Sequence, residues 1–119
     1  MIKLQDLEVY KAAMDIGELI WEIVAEWNSF EKYSIGAQLV RAADSIALNI
    51  AEGYGRFHYR ENVNFCYYSR GSAFEAVSAL SKAVGRKLIS TGQYSLLQAK
   101  FELYFKLING YIKSIGSAR

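Results

Sequence analysis

Along almost the whole chain, apolar residues return every three or four positions, which is the period of an α-helix, and short polar breaks cut this pattern into four pieces. The first carries Val9, Ala13, Ile16, Ile20, Ile23 and Trp27 on one stripe, widened by Tyr10, Met14, Trp21 and Val24, with Asp15, Glu18, Glu22 and Glu26 opposite. Asp6 stands where a helix N-cap is expected. Residues 28–32 read as a short connection, with Asn28-Ser29 breaking the pattern and Phe30 anchoring the loop. A second helix follows over 33–53, and the glycines Gly53 and Gly55 punctuate a turn. The third helix spans 58–88, with Phe65, Cys66, Ala73, Val77, Leu80 and Val84 inward. Ser90 and Gln93 have the spacing of a capping box, which opens a fourth helix running to about residue 115. Connections this short favour antiparallel neighbours, so the pattern predicts an all-α, up-down-up-down four-helix bundle.

The fourth helix is more apolar than one bundle position requires. Leu97, Phe101, Tyr104, Ile108, Tyr111 and Ile115 form a regular seam. Leu96, Leu103 and Leu107 flank it on one side, Phe105 and Ile112 on the other. Leaving that width in water is unfavourable by about 25 cal/mol per Å², so the flanks are candidate subunit contacts. The alternative is that the aromatic side chains fill the bundle from end to end.

Composition narrows the class. The chain of 119 residues is 52% hydrophobic and 22% charged and contains no proline, as long helices in one domain over 1–119 require. Its start lacks a signal-peptide pattern, and no apolar run is long enough to span a membrane, so a cytoplasmic protein is expected. The single cysteine, Cys66, lies in an apolar stretch and reads as a small buried hydrophobe. A net charge of +2 hides a strong asymmetry. Residues 1–53 hold four Lys or Arg against nine Asp or Glu, and residues 54–119 hold ten against three, giving −5 and +7.

The second helix carries a polar column beside its apolar one: Arg41, Ser45 and Glu52 run alongside Leu39, Ala42, Ile46 and Ile50, with Asn49 among the latter. An unpaired polar group near a core costs about 1–3 kcal/mol. Arg41, Asn49, Glu52 and Glu75 of the third helix are therefore expected to form a structural hydrogen-bonded layer. The alternative, a catalytic pocket, lacks an evident nucleophile and tuned base.

The stretch Arg41-Ala42-Ala43-Asp44-Ser45-Ile46 through Asn49-Ile50-Ala51-Glu52-Gly53-Tyr54-Gly55-Arg56, with Phe65, Gly71-Ser72-Ala73 and Glu75 downstream, resembles the S23-type proteins encoded within intervening sequences of bacterial 23S rRNA genes. The resemblance extends from Leu7-Glu8-Val9-Tyr10 over nearly the whole chain and departs at Ala47, where that family commonly has proline. It implies a four-helix bundle, a ring-shaped homopentamer and an association with RNA.

A surface suited to RNA is also legible in the residues. Arg56, Arg60 and Arg70, with Lys82, Arg86 and Lys87 at the far end of the third helix, could meet phosphates. Tyr54, Phe57 and Tyr59 could stack on unpaired bases. The competing reading packs those aromatics into the helix junction and pairs the arginines with the acidic face of the first helix. One histidine and one cysteine fall short of a metal site, and Gly53-Tyr54-Gly55 lacks the lysine and spacing of a phosphate loop. The expectation is a non-enzymatic protein without cofactor or metal, partnered by copies of itself and by RNA; the alternative is a protein-interaction scaffold that binds no nucleic acid.

Overall fold

The computed structural model describes residues 2–117, among which there are four long α-helices and no strand. A 3-10 turn at Leu4–Asp6 leads into α1, Glu8–Ala25. Asp6 does not cap it: the residue is taken up in the 3-10 turn, and Leu7 occupies the N-cap position in extended geometry without a side-chain bond.

α2 starts earlier than its sequence pattern suggests. It opens with the turn Ser29–Glu31, widens into a π-type segment at Lys32–Gly36 and continues as Ala37–Tyr54. Within the π-type segment the Ser34 hydroxyl donates to the Phe30 carbonyl at 2.6 Å, a side-chain bond to the i−4 carbonyl of the kind that accompanies bent helices. Phe30 anchors nothing here; it is 81% exposed.

α3 is Tyr59–Gly85 and α4 is Thr91–Ser117. The Ser90 capping box forms as its spacing predicts: the Gln93 amide N–H donates to Ser90 Oγ at 3.1 Å, and the Ser90 N–H donates to Gln93 Oε1 at 2.9 Å. α3 ends in a Schellman-type cap, with the Leu88 N–H donating to the Ala83 carbonyl at 2.9 Å and Lys87 in the left-handed region at φ 61°.

Cross-helix bonds establish the directions. Tyr54 at the end of α2 donates to the carbonyl of Ile2, just before α1, at 2.6 Å. Asn62 near the start of α3 lies 3.5 Å from the Tyr111 hydroxyl near the end of α4. Each helix thus returns along its predecessor, within a body 48 × 23 × 21 Å in extent. α2 packs on α1 and α3, and α4 closes the cycle against α1 and α3.

The core lies along the central axis: Ile16 and Ile20 from α1, Leu39, Ile46 and Ile50 from α2, Cys66 and Ala73 from α3, and Leu97, Tyr104 and Ile108 from α4. Leu80 is buried with them, while Phe65, Val77 and Val84 are only half-buried. Small side chains, Ala42, Ala43, Ala47, Ser69, Ala73 and Ala76, are buried on α2 and α3 and allow these two helices to approach closely. Gly53 takes this furthest: a Cβ there would sit 2.7 Å from Asn62 Oδ1 and 2.8 Å from Phe65 Cβ.

Candidate nucleic-acid interface

The turn between α2 and α3 is short because both of its ends are held by backbone bonds. The Arg56 N–H reaches the Gly53 carbonyl at 3.0 Å, and the Asn62 N–H reaches that of His58 at 3.2 Å. Residues between these ties face outward. Phe57 is 91% exposed, its one ring contact among the described residues being edge-on with the neighbouring His58 at 5.0 Å, and Tyr59 is exposed beside it. Tyr54 is different, since its ring is half-buried and its hydroxyl is used by Ile2.

The cations of this end are lightly held. Arg56 lies 3.6 Å from Glu52 on its own helix and 4.8 Å from the Phe65 ring, an exposed pairing worth about 0–1 kcal/mol. Arg60 is exposed and has no hydrogen bond or ion pair among the described residues. Among the described residues neither pairs with the acidic face of α1, where Asp15 pairs with Lys100 of α4. Arg70 serves a tie between helices, donating to Asn109 Oδ1 at 2.8 Å and lying 4.9 Å from the Tyr67 ring.

Lys82, Arg86 and Lys87 are exposed at the opposite pole. At 1.5 Å per residue, Arg86 is about 39 Å along α3 from Arg60. The basic residues therefore form two polar ends of the bundle, with Arg70 between them.

The expected Arg-carboxylate layer does not form. Arg41, Glu52 and Glu75 are exposed, and among the described residues no bond joins them to one another. Its place is taken by neutral groups. Asn49 Nδ2 donates to the Ser45 carbonyl at 2.9 Å and to Ser45 Oγ at 3.0 Å, and Ser72 Oγ donates to Ser45 Oγ at 2.9 Å. The α2–α3 seam is too closely packed for a guanidinium, and the long charged chains extend to water instead.

The apolar flanks of α4 divide. Leu96 and Leu103 remain exposed, whereas Phe105, Leu107 and Ile112 pack against the core, Phe105 with its ring 4.7 Å from Phe74. More apolar surface is exposed along α1 and α2 than the sequence suggested: Trp21 is 60% and Tyr33 76% exposed, with Met14 and Leu48 further along the same side. Trp21 and Met14 were legible as the wide edge of the first stripe; Leu48 carried no signal beyond its place on the helix.

Burial pushes the Cys66 thiol up to about 11 and the Tyr104 and Tyr111 phenols above their usual range. Burial first, and Glu18 second, raise Asp44. Among the described residues no cluster of three or more His, Cys, Asp or Glu gathers as a metal site, and no helix is long and apolar enough to cross a membrane.

The family model described as "23S rRNA-intervening sequence protein" matches residues 5–110. A crystal structure of a protein of unknown function from the S23 ribosomal protein family of Bacteroides thetaiotaomicron superposes with a TM-score of 0.82 at 20% identity, covering 88% of this chain and 95% of that one. At that identity the likeness speaks for the fold. No curated protein sequence matches the chain.

Proposed function

The chain belongs to the 23S rRNA-intervening sequence protein family, and from that premise we propose that it is a non-enzymatic, cytoplasmic, RNA-associated protein acting as a homo-oligomer, with the pentameric ring of the S23 resemblance as its form. The observation that carries the RNA reading is Phe57, 91% exposed between Arg56 and Arg60. Water disfavours a free phenyl ring, and the packing reading would bury it in the junction. Beside two lightly held guanidinium groups, the ring is available to stack on an unpaired base while they meet phosphates. Repeated around a symmetry axis, such weak sites would add through multivalency.

Self-association draws support from the exposed Trp21, Tyr33, Leu48 and Leu103 and from the charge asymmetry between α1–α2 and α3–α4. The same apolar line, edged by Glu18 and Asp44, favours the second reading, a scaffold for a protein partner. Filter binding of RNA to the wild type and to an Arg56→Ala, Arg60→Ala double variant separates the two. The proposal expects retention that falls steeply with salt and drops about tenfold or more in the variant. Equal retention by both proteins would count against it, and native mass with and without nuclease reports subunit number and bound nucleic acid together.

A further inference from the structure

At the pole opposite Phe57, the first turns of α2 and the last turns of α3 enclose an open cleft of about 720 Å³, within the range of small-ligand sites. Its apolar lining is Ile35 and Leu88; Phe30, Glu31, Ser34 and Gln38 line the α2 side, and Lys82 and Arg86 the α3 side. Lys82 and Arg86 are one helical turn apart and so share a face. Both are exposed, and neither side chain has an ion pair or hydrogen bond among the described residues, although Glu31 lines the same cleft. Cations at a helix C-terminus are favourable in any case, so the charge by itself decides nothing. Phe30 adds the deciding feature: a ring 81% exposed, without an aromatic partner among the described residues, in the cleft that holds the two cations.

We propose that this cleft binds one unpaired nucleotide of an RNA strand, its base stacked on Phe30 and its phosphate held by Lys82 and Arg86. This rests on the RNA reading above and extends it to a second, separate site. Gln38 supplies an amide donor and acceptor to the base edge, and Glu31 supplies an acceptor for an amino group. Ser34 is committed to the Phe30 carbonyl and fixes the turn that carries the ring. A duplex keeps its bases stacked inside, so stacking in the cleft selects single strands.

Fluorescence anisotropy with a labelled unstructured 12-nucleotide RNA and with a 12-base-pair RNA duplex tests the site. Phe30→Ala is expected to weaken single-strand binding about tenfold and to leave duplex binding within about twofold, with Phe30→Trp restoring it. Lys82→Ala with Arg86→Ala is expected to weaken both and to flatten the salt dependence. Phe30 is outside the core, and unchanged circular dichroism would confirm that the variants fold. If the wild type binds the single strand and Phe30→Ala binds it equally well, the cleft is overturned while the RNA reading stands. Equal losses on single strand and duplex would overturn the stacking role. If the wild type binds neither RNA at low salt, both proposals fall.

Discussion

Ser69 of α3 and Tyr104 of α4 meet at 2.6 Å between their hydroxyl oxygens, and the Ser69 hydroxyl donates a hydrogen bond to the Ile46 carbonyl of α2 at 2.7 Å. Since Ser69 has one proton to give, the phenol donates to Ser69, and three helices are tied in one fully buried chain. Removing the two hydroxyls should therefore have unequal effects. Tyr104→Phe leaves Ser69 bonded to Ile46 and should cost about 1 kcal/mol; Ser69→Ala strands the buried phenol and should cost about 1–3 kcal/mol. Urea unfolding of both single variants and the double variant measures the difference, and an additive cycle would contradict the coupling.

Two glycines predict opposite signs for the same substitution. Gly53→Ala forces a methyl against Asn62 and Phe65 Cβ and should destabilise by about 1–3 kcal/mol. Gly71, midway along α3 and exposed, has nothing within 4 Å of the added carbon. There alanine should stabilise by about 0.5–1 kcal/mol through helix propensity. Thermal melts of the two variants should move in opposite directions.

Lys87 holds a left-handed conformation that a side chain disfavours by about 1–2 kcal/mol. Lys87→Gly should raise the unfolding midpoint, an unusual outcome for removing a side chain. No rise would mean that lysine contacts in the folded state offset the strain.

Asp44 titrates above its ordinary value of 3.8, first because it is partly desolvated and then because Glu18 lies near. A carboxyl raised on folding contributes stability below 3.8 and loses it as pH rises through its folded value. At pH 7 Asp44→Asn should therefore have a higher urea midpoint than the wild type, and the gap should close toward pH 3. A gap independent of pH would exclude this origin.

The Cys66 thiol, buried and raised to about 11, should react with a disulfide reagent at pH 8 only as fast as the protein opens. Reaction in native buffer at the rate seen in urea would show that the site is accessible.

Features set within a few residues were the legible ones. The period of α1 and α4 and the Ser90-Gln93 box each depend on neighbours along the chain, and both are present in the fold. Gly53, read as the end of α2, instead lies inside that helix, where it leaves room for Asn62 and Phe65. What depended on distance across the bundle was not legible. Periodicity put Arg41 and Glu75 near the seam, but the closeness of α2 and α3 was set by alanines and serines on both helices, and it turned the charges outward. Phe105 and Ile112 looked surplus on their own helix and found cover on the core, whereas Phe30 read as an anchor and is exposed. The candidate site was half visible: Phe57, Lys82 and Arg86 stood out as residue types, but the cleft joining Phe30 to the latter two exists only once α2 lies antiparallel to α3.

The wide turn at Lys32–Gly36 makes chain length, as well as residue type, a determinant of what Phe30 faces. Each residue of a regular helix advances the winding by about 100°. Deleting one residue from that segment would restore regular winding beyond it and swing the preceding turn around the axis, carrying the ring away from Lys82 and Arg86. A frame-preserving loss of a single codon could thus silence the cleft while every residue lining it kept its identity.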